Sequence, residues 1–277
     1  MAQSIDMNTV VGTHNILFVC IDTLRYDIAF QEQECGGTPV LNQYGPWRKC
    51  QAPGNFTYPS HQAMFAGFFP IDEGIKDMKK REILFFSEDI GMGRKAPAGA
   101  FTFQGATIIE GLAYEGYETY CIGGVHFFDK RTAIGKVLPS YFQHSYWNPS
   151  FGCKAKDSAT NQVDFALHTL AKIPPEKLVF FYINFSAVHY PNYHYIEGQK
   201  KDCPETHAAA LRYVDQELGR LLDAFSKRGD TFVICLSDHG SCHGEDDYWY
   251  HGINHPIVNT VPYKHFFVPH NAVTEPS

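Results

Sequence analysis

Five short runs of β-branched and aromatic residues, at 15–21, 119–123, 178–185, 231–236 and 263–268, recur along the chain with helix-forming stretches between them. Runs of this length and composition read as buried strands. Helical patterns fall at 60–66, 104–115, 160–171 and 206–228. In the last of these Leu211, Val214, Leu218, Leu221, Leu222 and Phe225 recur at three- and four-residue spacing, and Gly229 stands where a helix stop is expected. Strands alternating with helices predict an α/β fold, a mostly parallel central sheet with helices on both faces, in one domain over residues 1–277. Two long loop-rich stretches, 76–102 and 126–157, are expected to cover or shape a site.

Composition narrows the partners. The longest apolar runs, 16–21 and 178–183, are far shorter than the roughly 18 residues a membrane span needs. A net charge of −7 disfavours nucleic acid, because phosphate backbones are bound by clustered Lys and Arg. The basic run Lys79, Lys80, Arg81 is flanked by Asp77 and Glu82 and reads as a solvated face. Residues 1–13 have neither the basic nor the apolar stretch of a secretory signal. Cys20, Cys121 and Cys235 lie inside apolar runs, where free thiols pack as small hydrophobes. The expectation is a cytoplasmic protein acting on a small molecule, with no nucleic acid or membrane partner.

In sheets of this kind ligands bind where the strands end at their carboxyl termini. The residues found there are Asp22, His126, His189, and Asp238 with His239. The stretch 236–252 holds four carboxylates and three histidines, a mixed oxygen and imidazole set that suits a zinc-like or manganese-like divalent ion. Upstream, in 52–67, Thr57 stands at the start of a helical pattern, with Pro59 suited to its first turn. By itself Thr57 reads more readily as a helix cap.

These residues resemble the sulfatase branch of the alkaline phosphatase superfamily in three ordered places. The stretch 15–27, Asn-Ile-Leu-Phe-Val-Cys-Ile-Asp-Thr-Leu-Arg-Tyr-Asp, is similar to that branch's first strand, which the resemblance gives a metal-ligating Asp at Asp22. Thr57-x-Pro59-Ser60-His61, with Gly67 ten residues after the Thr, is similar to its nucleophile motif. A helix running into a strand and Ser237-Asp238-His239-Gly240 resembles its late metal-binding unit. Sulfatases convert a Cys or Ser to formylglycine in a motif that continues with Arg; this chain has Thr57 and His61 at those positions. A Thr resembles the phosphoryl-handling branches, the nucleotide pyrophosphatase/phosphodiesterases, phosphonate hydrolases and phosphoethanolamine transferases. Gly244-Glu245 and His251-Gly252 are spaced as in the last of these, though Ser241 replaces their Glu.

The resemblance implies one divalent ion, zinc in first place and manganese in second, held by Asp22, Asp238, His239 and Thr57. A coordinated hydroxyl loses its proton more easily, so Thr57 would become a nucleophile near neutral pH and carry a phosphoryl group transiently. His189 and His251 would contact the phosphate or protonate the leaving group. A second, weaker ion is left open, with His189, His251 and one of His194, His255 or His126 as its ligands. His61 is expected near the phosphate or packed against its helix, and Lys136 near the substrate. Glu245, Asp246 and Asp247 read as a solvated loop at least as readily as a cation site. Cys242 reads as a packed thiol, and Arg25 with Asp27 as a local ion pair. The expected activity is metal-dependent hydrolysis of a phosphate monoester, phosphodiester or phosphonate, with phosphoryl transfer or sulfatase-like hydrolysis as the alternative. A non-catalytic metal-binding module is the second alternative.

Overall fold

The computed structural model describes residues 5–69 and 105–271, together with 84–85, 95 and 101–102. Seven strands form its main sheet: β1 (Asn15–Ile21), β2 (Arg48–Gln51), β3 (Glu118–Ile122), β4 (His144–Tyr146), β5 (Val179–Phe185), β6 (Thr231–Leu236) and β7 (Thr260–Val268). Their order across the sheet is β2-β7-β6-β1-β5-β3-β4. The five strands from β6 to β4 run parallel, and β7 joins them antiparallel to β6. The mostly parallel α/β architecture expected from the strand and helix alternation is therefore present.

β1 and β5 are buried along their whole length, which explains why they read as unbroken apolar runs. Side chains alternate between two cores. Leu17, Val19 and Ile21 pack on one face beneath the helices α1 (Tyr26–Glu34), α4 (Ser158–Leu170) and α5 (Pro204–Arg228). Ile16, Phe18 and Cys20 face the opposite core with Phe65 of α2 (Thr57–Ala66) and Ile109 of α3 (Ile108–Tyr114). The amphipathic stripe of α5 is buried as its spacing required, with Leu211, Val214 and Leu218 fully enclosed.

Some boundaries differ from the sequence pattern for local reasons. The pattern at 104–115 contracts to α3 because Thr107 and Glu110 form a reciprocal capping box that fixes the helix start. β2 and β4 were not legible, since they are three or four residues long and carry polar side chains. The segment 126–157 folds into short 3-10 turns around β4, at His126–Phe128, Ile134–Lys136, Leu138–Tyr141 and Pro149–Phe151. The segment 76–102 lies outside the described residues apart from the three short pieces named above. No helix among the described residues is long and apolar enough to cross a membrane.

Because Leu218 of α5 is fully buried in the core on one face of the sheet, Leu218→Ala should remove about 2–5 kcal/mol of unfolding free energy in chemical denaturation. A loss below about 0.5 kcal/mol, the size typical of surface positions, would show that α5 is not part of the cooperative core.

Candidate active site

The sheet order places β6, β1 and β5 side by side, so their carboxyl ends open on one place. Ile21 is in register with Phe185, and Cys20 with Leu236. Asp22 leaves β1 with its backbone N–H donating to the Phe185 carbonyl at 3.0 Å. Asp238 and His239 leave β6 beside it. Gly240 follows because a Cβ there would lie 2.2 Å from the Ile257 carbonyl oxygen.

α2 brings Thr57 to the same place. The N-cap of that helix is Phe56, so Thr57 is its first residue and its hydroxyl is not spent on capping. Thr57 Oγ1 instead lies 3.4 Å from Asp22 Oδ2 and 3.4 Å from His239 Nε2. Thr57 is therefore not the cap of this helix.

The four groups are oriented by neighbours. Asn184 Nδ2 donates to Asp22 Oδ2 at 3.0 Å. The backbone N–H groups of Thr23 and His239 donate to Asp238 Oδ1 at 3.2 and 3.0 Å. His239 Nδ1 donates to the Gly240 carbonyl at 3.0 Å, which leaves the Nε2 lone pair facing the carboxylates and Thr57. The Nε2 atom lies 3.5 Å from Asp238 Oδ2 and 3.9 Å from Asp22 Oδ1.

Asp22, Asp238 and His239 are fully buried. Burial, then the neighbouring Asp238 charge, raises the Asp22 carboxyl from 3.8 to about 6; burial raises Asp238 likewise from 3.8 to about 6. Burial lowers the His239 imidazole from 6.5 to about 4. Asp22 Oδ1 and Asp238 Oδ2 are buried without a hydrogen-bond partner among the described residues. Ligand atoms of Asp22, Asp238 and His239 all lie within 4.8 Å of one another. Two carboxylates and one imidazole with its lone pair turned inward fit a divalent ion, and two orphaned buried oxygens require one or a proton.

His251 and His189 sit at the edge of this cluster. The His251 ring is 4.4 Å from that of His239 and 5.2 Å from that of His189, centroid to centroid. Burial, then the His239 and His189 rings, pushes His251 from 6.5 down to about 2, so it is neutral here. His189 donates from Nδ1 to the Tyr190 carbonyl at 2.6 Å, so any proton it gains sits on Nε2.

The remaining expected site residues are placed elsewhere. His61 does not reach toward a substrate: it is fully buried, its Nδ1 donates to the Thr57 carbonyl at 2.7 Å, and its Nε2 is bonded by the Tyr182 hydroxyl. It braces the first turn of α2 instead. Cys20, His61 and Asp238 also lie within 4.8 Å of one another, but they share Asp238 and the His61 nitrogens are occupied. His255 is not brought in as a ligand, because Nδ1 accepts from the Ile257 N–H at 3.2 Å and Nε2 faces Asp246 at 3.1 Å. His126 and Lys136 are exposed on 3-10 turns, and no hydrogen bond or ion pair among the described residues joins either to the cluster. His194 lies on the 3-10 turn Tyr193–Tyr195 with its ring against Tyr193 and Tyr195.

Several supporting residues were missed. Asn184 and Tyr182 are polar groups inside an otherwise apolar strand, which is the signal that would have marked them. Arg25 is buried and bonds Asp27 as expected, and it also reaches Glu245 at 2.5 Å. Glu245, which the sequence leaves open as loop surface or cation site, thereby ties the loop carrying His251 to the β1 end.

The chain belongs to the sulfatase family, whose family model matches residues 14–263. Its fold is that of the alkaline phosphatase superfamily. The C-terminal periplasmic domain of phosphoethanolamine transferase EptC from Campylobacter jejuni superposes with a TM-score of 0.60 at 14% identity, over 92% of this chain and 80% of that one. A protein in the alkaline phosphatase superfamily from Vibrio parahaemolyticus gives a TM-score of 0.55 at 19% identity, over 94% and 62%. The C-terminal periplasmic domain of EcEptC from Escherichia coli, in complex with zinc, gives 0.55 at 14%, over 94% and 73%. At these identities the likeness is one of fold. No curated protein matches in sequence.

The raised carboxyl pKa values carry a sign for stability. Without an ion, folding favours the protonated forms of Asp22 and Asp238, so the stabilisation they give is full below about 3.8 and is lost as pH rises through about 6. A bound ion requires the ionised forms and reverses this. The melting-temperature gap between zinc-loaded and chelator-treated protein should therefore widen from about pH 5 to about pH 8. A gap that stays constant over that range would contradict the ligand set.

Proposed function

We propose that this chain is a metal-dependent enzyme that hydrolyses a phosphate monoester, phosphodiester or phosphonate through a phosphothreonine at Thr57. The observation that carries this reading is the Thr57 hydroxyl, 3.4 Å from both a buried carboxylate and the inward nitrogen of His239. A free hydroxyl is a poor nucleophile, so a Thr held in such a place has a use only if something activates it. A divalent ion held by Asp22, Asp238, His239 and the Thr57 hydroxyl would lower that hydroxyl's pKa and polarise the phosphoryl group. Zinc suits the mixed oxygen and imidazole donors, and the E. coli neighbour is described as a zinc complex. One ion accounts for the cluster, with manganese as the second choice of metal.

The chain's own residues supply the rest. Thr57 Oγ1 loses its proton by way of Asp22 Oδ2 to solvent, attacks phosphorus, and takes a proton back when the intermediate is released. Asn184 keeps Asp22 turned toward it. As the phosphorus–oxygen bond to the leaving group breaks, His189 delivers a proton from Nε2, since Nδ1 is committed to the Tyr190 carbonyl. Neutral His251 is suited to hydrogen bonding with the phosphoryl oxygens instead. Water, deprotonated by the now neutral His189, then releases phosphate or phosphonate and restores Thr57.

A second reading is transfer of the phosphoryl-linked group to an alcohol or amine acceptor instead of water. The description of the C. jejuni neighbour as a phosphoethanolamine transferase favours it. A sulfate ester is the weaker substrate because Thr57 cannot become formylglycine.

With a chromogenic phosphodiester and added zinc, Thr57→Ala should lower kcat by about three orders of magnitude or more. Its zinc content should stay at the wild-type level, and Thr57→Ser should retain measurable turnover. Wild-type turnover in Thr57→Ala would remove Thr57 as nucleophile. Product analysis with and without added alcohols and amines separates hydrolysis from transfer.

A further inference from the structure

The residues that border the site on its open side are aromatic and form a continuous path out of it. From His239 the rings step to His251 at 4.4 Å, from His251 to His189 at 5.2 Å and to Tyr190 at 5.4 Å, and from Tyr190 to Tyr250 at 4.3 Å. Each step is a ring-to-ring contact. The path begins at a fully buried ring and ends on two rings that are 36% and 42% exposed, Tyr190 and Tyr250. Exposed aromatic surface continuous with a buried polar site marks a ligand-binding edge more often than plain surface.

The backbone that presents Tyr250 is held in a costly conformation. Asp246, Asp247 and Tyr250 adopt φ of +50°, +64° and +67°, a region that a bulky aromatic residue rarely enters. Such a conformation persists only where its surroundings enforce it, and here they do. Glu245 is fixed by buried Arg25 at 2.5 Å, Asp246 by His255 at 3.1 Å, and Gly252 donates its N–H to the Asn55 carbonyl at 2.7 Å. Tyr250 pairs with Cys242 in a two-residue ribbon whose other strand follows the Asp238-His239 unit. The hairpin is thus clamped at several points while the ring at its end stays open to solvent. Packing of the fold does not explain that expense; presentation of a rigid ring does.

We propose that Tyr190 and Tyr250 form a stacking surface for a neutral, planar ring in the leaving group of the phosphoester. This rests on the reading of the buried cluster as a phosphoryl site. The ring faces supply contact area at small entropic cost, because a Tyr side chain has few rotatable bonds and these two already pack on each other. Asp246 and exposed Asp247 next to Tyr250 oppose a leaving group that carries further phosphates. An extended alkyl chain gains the area but not the face-to-face contact.

The test is calorimetric binding of three phosphonates to the zinc-loaded protein: benzylphosphonate, cyclohexylmethylphosphonate and ethylphosphonate. Benzylphosphonate should bind roughly three- to tenfold more tightly than the cyclohexylmethyl compound, the range aromatic pairing adds beyond area alone. Tyr190→Leu and Tyr250→Gly should each shrink that ratio toward one while ethylphosphonate still binds. Glycine suits the backbone at position 250, so Tyr250→Gly should melt no lower than the wild type. Equal affinities for the two ring compounds, or a ratio that survives both substitutions, would overturn the stacking surface while ethylphosphonate binding leaves the phosphoryl reading standing. If none of the three binds and inorganic phosphate does not either, the phosphoryl reading itself fails and the stacking surface falls with it.

Discussion

Two carboxylates with no access to water lie side by side at the heart of this molecule, and most of what surrounds them follows from that constraint. Removing an ionised carboxylate from water costs several kcal/mol unless a cation or hydrogen bonds replace the solvent. Here hydrogen bonds satisfy one oxygen of each, through Asn184 for Asp22 and the N–H groups of Thr23 and His239 for Asp238. The other two oxygens have no partner among the described residues. These two oxygens and the inward lone pair of His239 form an acceptor-only cluster that fits a divalent ion or a proton.

The parallel sheet makes this arrangement possible. Three adjacent strands end in one place and α2 starts beside them, so residues 22, 57, 184 and 238 meet although they are far apart in sequence. Each is then fixed by a second contact. His61 and Tyr182 brace the turn that presents Thr57, and the Arg25–Glu245 pair ties the β1 end to the loop that carries His251. Rigidity at such points matters because small displacements of a nucleophile are expensive in rate.

The fold was legible because β1, β5, β6 and α5 carry full-strength periodic signals. Asp22, Asp238 and His239 were legible because they stand directly after such strands, where chemistry-bearing residues are conspicuous. Thr57 was not decidable from its own surroundings: only the observation that Phe56 occupies the N-cap position shows that the hydroxyl is free to face the carboxylates. For His61 and His255, spacing along the chain gives the element and face but not which partner claims each ring nitrogen. His126 and Lys136 stand exposed on 3-10 turns, with no hydrogen bond or ion pair to the cluster among the described residues. The ion pair of Arg25 with Glu245 spans 220 positions, and no local pattern carries a contact of that range.

On the proposed reading, the chain would present one activated hydroxyl to phosphorus, with a fixed imidazole for the leaving group and aromatic rings at the exit. The measurement that bears most directly on it is rapid acid quenching of the zinc-loaded protein during turnover, followed by mass spectrometry of the peptide spanning residues 52–67. A phosphoryl or phosphonyl adduct on Thr57, formed within the first turnover and lost when substrate is exhausted, is the expected result. Burst-rate product release with no adduct on that peptide, or an adduct that maps to another side chain, would contradict a Thr57 nucleophile.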